Sequence, residues 1–286
     1  MHSEFLRLAR DFGWNMHDYL RSDSQSDLWF TSSAQDADSV YADTQWLELD
    51  QRLENGWWTR VRNEIISDVL QNHEIRTAIW DCGGGTGIVT RHLNESGFET
   101  LNVEPSRFAA AVSTERGVSS ICASLEDLNL PNECLGAVSM FDVLEHLPDR
   151  SATLGEIRRV LMPSGQLLLT VPAARMLWSQ HDVELGHYCR FNRVTIRREL
   201  SDCGFEVVRS GYFFALTVVP LFLIRVIPFR LGLRKTAVSD STLSSTGGLV
   251  GRIAGWLERR LALRTPIGSS LIVIARKSSQ LNSQSP

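Results

Sequence analysis

The residues in this 286-residue chain whose types and spacing most clearly suggest chemistry form the run Asp81-Cys82-Gly83-Gly84-Gly85-Thr86-Gly87. Backbone without side chains can approach a ligand closely, and a glycine turn between a strand and a helix is where α/β proteins hold nucleotide-like cofactors. Spacing narrows the class. A dinucleotide fingerprint would need glycine where Ile88, Thr86 or Thr90 stands, and a phosphate-cradling P-loop would need a Gly-Lys pair that is absent. Asp81, read as an anion at the mouth of the loop, disfavours phosphate and suits an ammonium group. Glu104 follows Gly83 by 21 residues, the position from which an acid accepts both hydroxyls of a ribose. A ribose without a pyrophosphate is the implied ligand. Each part alone has a plainer reading, a tight turn or a solvated loop acid; the combination is the specific signal.

These residues need a scaffold. Short apolar runs at 78–82, 100–105, 119–122, 137–143 and 165–172 read as strands, and 88–96, 106–116 and 151–161 as helices. Repeated strand–helix alternation means right-handed crossovers and a parallel sheet covered on both faces. A helix at 193–202 and strands at 205–210 and 270–276 extend the pattern. From Trp46 to Asn72 apolar residues recur at helical steps, with a break near Asn55–Gly56. Residues 1–45 are polar and read as an irregular arm with one short helix, 46–276 as one domain, and 277–286 as a disordered tail. With 43% apolar and 22% charged residues the chain is neither disordered nor fibrous. Five scattered cysteines without a close pair support neither a disulfide framework nor a zinc knuckle, and with no secretory signal the expected location is cytoplasmic.

The D-x-G-x-G-x-G loop, the acid ending the second strand, CASLEDLNLP (122–131) and MFDVLEHLPD (140–149) stand in the order and spacing of a known family. Over roughly residues 57–210 plus the last strand, the chain resembles the class I S-adenosylmethionine-dependent methyltransferases. More narrowly, it resembles the bacterial branch that includes ubiquinone-type O-methyltransferases. The resemblance implies a Rossmann-like, doubly wound, seven-stranded sheet with its last strand antiparallel, an N-terminal helical cover, and a helical insertion between the last two strands. It implies S-adenosylmethionine as cofactor. Asp81, Gly83, Gly85 and Gly87 would cradle its methionine part, Glu104 with Pro105 its ribose, and Ser124 and Leu125 its adenine. Family members carry Asp where this chain has Ser124, and Glu126 is the expected substitute. Phe141 and Asp142 would sit beside the sulfonium, and Trp57, Trp58 and Arg62 resemble the helix that covers the cofactor. A non-catalytic binding or regulatory module that kept the loop is the competing reading.

Transfer of an activated methyl needs mainly an in-line nucleophile held close. A hydroxyl acceptor gains from a base of near-neutral pKa, and LWSQHDVELGHYCRF (177–191) offers His181, Asp182, His187, Tyr188 and Arg190 after the fifth strand. His181 with Asp182 is the first catalytic candidate and His146, beside Glu145, the second; either histidine can equally serve its own loop. His181 and His187 lie six residues apart, too far for one helical face, and no third ligand is evident, so no metal is expected.

Charge is divided along the chain. Residues 1–219 hold 19 Arg and no Lys against 31 acids, a net −12, whereas 220–286 hold ten basic residues against two acids, a net +8. Most of the basic part is an insertion at 211–269, comprising an apolar run at 212–229 and an amphipathic segment, GGLVGRIAGWLERRLAL (247–263). Arg225, Pro220 and Pro228 interrupt the apolar run, so spanning a membrane is not expected. Basic residues set among Leu, Ile and Phe point to an anionic membrane surface rather than nucleic acid. The expectation is peripheral attachment through 211–264 and a small-molecule or lipid-linked acceptor; a hairpin that covers the sheet edge, or a contact with a second copy or another protein, is the alternative reading of the insertion.

Overall fold

The computed structural model describes residues 3–22, 28–31, 50, 53–54, 56–73, 75–232 and 248–278. The described strands, β1 (Leu20–Ser22), β2 (Leu28–Thr31), β3 (Ile79–Cys82), β4 (Thr100–Val103), β5 (Ser120–Cys122), β6 (Leu135–Phe141), β7 (Leu161–Pro172), β8 (Phe205–Phe213) and β9 (Ser270–Lys277), form one sheet. Their order is β1-β2-β5-β4-β3-β6-β7-β9-β8. From β2 to β7 the neighbours run parallel, whereas β9 is antiparallel to both β7 and β8 and β1 is antiparallel to β2.

Side chains alternate between two apolar layers because successive residues of a strand face opposite ways. Trp80, Leu167, Leu169, Leu271 and Val273 join Leu154 and Ile157 of the helix Arg150–Val160 and Ile196 of the helix Arg193–Asp202 on one face. Ile79, Leu168, Ile272 and Ile274 meet Val61, Ile65 and Leu70 of the helix Trp57–Gln71 and Leu93 of the helix Ile88–Glu95 on the other.

The expected doubly wound sheet is present, with nine strands among the described residues rather than seven. The two additional strands come from the N-terminal arm, which is therefore not merely irregular. It holds the helix Ser3–Phe12, the short helix Met16–Tyr19, β1 and β2, and β2 pairs in parallel with β5. Leu8, Trp14 and Leu20 are buried in the main core, and Trp14 donates its indole N–H to the Leu128 carbonyl at 3.1 Å. Gly56 caps the helix Trp57–Gln71, in keeping with the expected break. The proposed tail beyond Ser278 lies outside the described residues, as does the middle of the insertion, 233–247.

The excursion between the last two strands begins after Phe213, where Phe214 takes a positive φ of 57°. It continues as Val218–Leu221, a π-helical turn Phe222–Val226, and Ile227–Arg230. Pro228 has no N–H to give to the preceding turn, consistent with the widened winding before it. Val218 and Val226 bury against Leu177, which seats this segment on the chain leaving β7.

The amphipathic helix Leu249–Leu261 docks by its glycine-lined face. Gly251, Gly255 and Glu258 are its buried residues, while Leu249 (73% exposed), Ile253 (50%) and Trp256 (56%) face outward. Trp57 donates its indole N–H to the Gly251 carbonyl at 2.7 Å, and a Cβ on Gly255 would stand 2.8 Å from Val61 Cγ2. Only glycine admits this approach. The Glu258 carboxylate accepts the N–H groups of Ala215 and Leu216 at 3.0 and 2.9 Å, and Arg259 pairs with Asp68 at 2.7 Å. No helix among the described residues is long and apolar enough to cross a membrane.

Candidate active site

The glycine loop joins β3 to the helix Ile88–Glu95, and its glycines are required locally. Gly87 caps that helix at φ 76°, where a Cβ would lie 2.2 Å from Ser113 Oγ. A Cβ on Gly84 would lie 2.4 Å from Asn102 Oδ1. Asn102, opposite Asp81 in the β3–β4 register, donates its amide to the Gly85 carbonyl and to Ser113 Oγ, both at 3.0 Å. Asp81 lies beneath the loop rather than at its mouth. It is fully buried and accepts hydroxyl hydrogens from Thr90 at 2.7 Å and Ser139 at 2.8 Å. Burial raises its pKa against those two bonds. Asp81 therefore holds the loop's base.

Glu104, at the end of β4, reaches the loop directly. Its Oε2 accepts the Gly85 N–H at 3.0 Å and its Oε1 the Ser106 N–H at 2.8 Å. Burial pushes its pKa up to about 7, against the pull of those two N–H groups and with a further rise from Asp81. Pro105 follows, half-buried. Beyond β5, Leu125 is buried, Ser124 is half-buried and Glu126 faces solvent. The carboxylate at Ser124 is that of Asp127, whose Oδ2 accepts the Ser124 hydroxyl at 2.8 Å and its N–H at 3.2 Å. The S-x-x-D spacing carried that signal.

At the end of β6 Phe141 is buried and Asp142 has a φ of 56°. Arg62, nearly buried on the helix Trp57–Gln71, meets Asp142 Oδ2 at 2.6 Å and places its guanidinium 5.3 Å from the centre of the Trp58 ring. Thr170, adjacent on β7, donates its hydroxyl to Asp142 Oδ1 at 3.2 Å and accepts from Arg62 at 3.3 Å. Trp58 in turn stacks on Phe214 at 5.4 Å. The helix Trp57–Gln71 is thereby tied to the end of β6.

The histidine-rich segment folds back onto this strand end. The Tyr188 N–H bonds the Glu145 carbonyl at 2.8 Å, and Arg190 bonds the Ala173 carbonyl at 3.0 Å. Asp182 is fully buried at the centre of the segment. Its Oδ2 takes the Ser179 N–H at 2.9 Å, and its Oδ1 takes Arg190 Nε at 2.6 Å and His187 Nδ1 at 3.0 Å. Burial raises and these donors lower its pKa, which settles at about 2. Asp182, expected to be catalytic, is engaged by Ser179, His187 and Arg190 of its own segment, contacts that shape the loop and orient His187. A carboxylate held ionised can only accept, so the proton of a neutral His187 sits on Nδ1 and Nε2 carries the lone pair.

The histidines group differently from the sequence expectation. His181 is half-buried on the helix Gln180–Glu184, whereas His146 and His187 lie edge to face with ring centres 4.7 Å apart. One ligand atom each from Glu145, His146 and His187 lies within 4.8 Å of the others. His146 is hydrogen-bonded to the Leu185 backbone, and burial holds its pKa down to about 4, with His187 adding to the drop. Glu145 is buried and its pKa lies well above the carboxylate range, first from burial and then from the charge of Asp142. Spacing alone pairs His181 with His187 and offers no third ligand; the fold assembles another set. Residues 145 and 187 are too far apart in sequence for spacing to reveal it.

Residues 78–210 match a family model described as a methyltransferase domain. Over 96 residues the chain is 31% identical to the ubiquinone biosynthesis O-methyltransferase of Bradyrhizobium sp. (strain ORS 278), which covers 32% of this chain and 38% of that one. A probable S-adenosylmethionine-dependent methyltransferase of Mycolicibacterium smegmatis is 25% identical over 158 residues, covering 54% of this chain and 61% of the relative. These matches thus span less than two thirds of either relative's length. Among solved structures, a SAM-dependent methyltransferase from Thermotoga maritima shares the fold with a TM-score of 0.55 at 16% identity, covering 82% of this chain and 97% of that one.

Proposed function

We propose, for a chain that belongs to the class I S-adenosylmethionine-dependent methyltransferases, that it methylates the oxygen of a small hydrophobic or lipid-linked acceptor taken from an anionic membrane surface. One contact carries the donor half of this reading: Glu104 Oε2 on the Gly85 N–H, which brings the ribose-type acid and the glycine loop into one site. The fit to the donor is steric as well as chemical. Side chains at Gly84 and Gly87 would strike Asn102 and Ser113, so the loop presents bare backbone, and the acid beside it suits vicinal hydroxyls.

S-adenosylmethionine supplies a sulfonium-activated methyl group when bound. The chain's part is to hold and screen: Gly83, Gly85 and Gly87 for the methionine part, Glu104 for the ribose, Leu125 with Ser124 and Asp127 for the adenine. Phe141 and the Arg62–Asp142 pair border the reacting end. Water exclusion there falls to Trp58, whose ring lies against Arg62, and to Phe214, stacked on Trp58.

The acceptor half rests on the insertion. Val219, Leu223, Ile224 and Leu231 are exposed on the segment seated against Leu177, and Leu249, Ile253 and Trp256 are exposed on the docked helix beside the exposed Arg252 and Arg260. Apolar side chains turned outward beside arginines suit an interface of anionic headgroups and acyl chains. The test is incubation of the full chain with isotopically labelled S-adenosylmethionine and a bacterial lipid extract, followed by mass spectrometry. A labelled methyl on an oxygen of an extractable, hydrophobic product is the expected result; label on nitrogen or carbon, or only on water-soluble products, would overturn the acceptor class.

A further inference from the structure

We propose that Glu145, His146 and His187 hold one divalent transition-metal ion beside the end of β6. Three features support this. The donor set, one carboxylate and two imidazoles, is that of catalytic zinc sites, which leave a fourth position open, and imidazole favours such ions over magnesium or calcium. Asp182 accepts from His187 Nδ1 at 3.0 Å and is itself held by Arg190 and Ser179, which is how proteins orient a metal-binding imidazole from behind. Glu145 Oε2 is buried with no hydrogen-bond partner among the described residues, and a buried carboxylate oxygen without a donor calls for a cation.

The three ligand atoms lie within 4.8 Å of one another. Around a tetrahedral ion they would stand about 3.4 Å apart, a contraction within reach of side-chain rotation. The backbone bond from Tyr188 to Glu145 already holds the two segments together.

The ion's role, though not its binding, rests on the methyl-transfer reading. Glu145 lies three residues beyond Asp142 at the end of β6, and the role assigned to the open position is to take the acceptor hydroxyl. A hydroxyl coordinated there loses its proton to solvent water more readily. Its oxygen then forms the O–CH3 bond with a lone pair while the C–S pair stays on sulfur, yielding the methyl ether, S-adenosylhomocysteine and one proton.

The test is titration of the chelator-treated full chain with Zn2+ and with Co2+, read by elemental analysis and by the visible Co2+ bands. Circular dichroism verifies folding, and S-adenosylmethionine binding is measured on the same samples by calorimetry. One equivalent is expected, with affinity lowered at least 100-fold in Glu145→Gln, His146→Gln and His187→Gln, 10- to 100-fold in Asp182→Asn, and unchanged in His181→Gln. Folded wild type that binds no ion, or a folded His187→Gln that binds as tightly as wild type, would overturn the site. Loss of donor binding with the ion site intact would count against the methyl-transfer reading alone.

Discussion

Arg62 and Asp142 meet at 2.6 Å, and this contact joins the helix Trp57–Gln71 to the strand end where the reacting groups would stand. Arg62 is nearly buried and Asp142 partly so. Removing one partner leaves the other charge poorly compensated, whereas removing both does not. Arg62→Met should therefore destabilise the fold by about 3 kcal/mol, the low end for a broken buried pair because Asp142 keeps some solvent. The double variant Arg62→Met, Asp142→Asn should recover more than half of that loss in urea denaturation; additive losses would show the pair to be uncoupled.

Gly87 combines a positive φ with a neighbour that leaves no room for a side chain. Gly87→Ala should cost at least about 1–2 kcal/mol for the left-handed backbone alone, and more for the clash with Ser113 Oγ. Adding Ser113→Gly should relieve the clash and restore only part of the stability, since the backbone strain stays. Thermal melts and S-adenosylmethionine titrations of both variants check this, and full restoration would place the whole cost in the clash.

Glu104 should make donor binding depend on pH. Its folded pKa of about 7 lies above the usual carboxylate value, so the free protein holds a proton that the unfolded chain releases. For this group the linkage favours folding at low pH and weakens as pH rises towards 7. Ribose hydroxyls donate to the ionised carboxylate, so donor affinity should rise with pH up to about 7 and then level off. Below that point it should fall by up to about tenfold per pH unit, with proton release on binding. Calorimetry in buffers of different ionisation enthalpy reads the proton directly, and Glu104→Gln should abolish the dependence. An affinity flat from pH 5 to 8 in the wild type would contradict it.

The outward face of the helix Leu249–Leu261 should carry membrane attachment. Ile253→Glu with Trp256→Glu alters exposed positions, so stability should change by less than about 0.5 kcal/mol while flotation with anionic vesicles is lost. Gly255→Leu should instead unseat the helix from Val61 and lower the melting temperature. Flotation of the double variant at wild-type levels would remove this face from the proposal.

Much of the architecture was legible because it rests on local periodicity. Short apolar runs announced the strands from β3 to β9, and the glycine run with Glu104 announced the donor site, since only bare backbone fits against Asn102 and Ser113. β1 and β2 were not legible: they are three and four residues long, and what makes them strands is pairing, β2 on the edge of β5 and β1 on β2, not their own pattern.

Residues near one another in the chain suffice for the doubly wound sheet, for the loop that suits S-adenosylmethionine and for the presence of an apolar, basic insertion. Three further points depend on the packed molecule. Asp81 is drawn beneath the loop by Thr90 and Ser139. The amphipathic helix is turned with its apolar face outward, because Gly251 and Gly255 let it lie against Trp57 and Val61. Glu145 and His146 are matched with His187 across a long loop, because backbone bonds and the buried Asp182 fold that loop onto the strand end. Contacts between residues distant in sequence depend on how chain segments close on each other, and no local spacing records that.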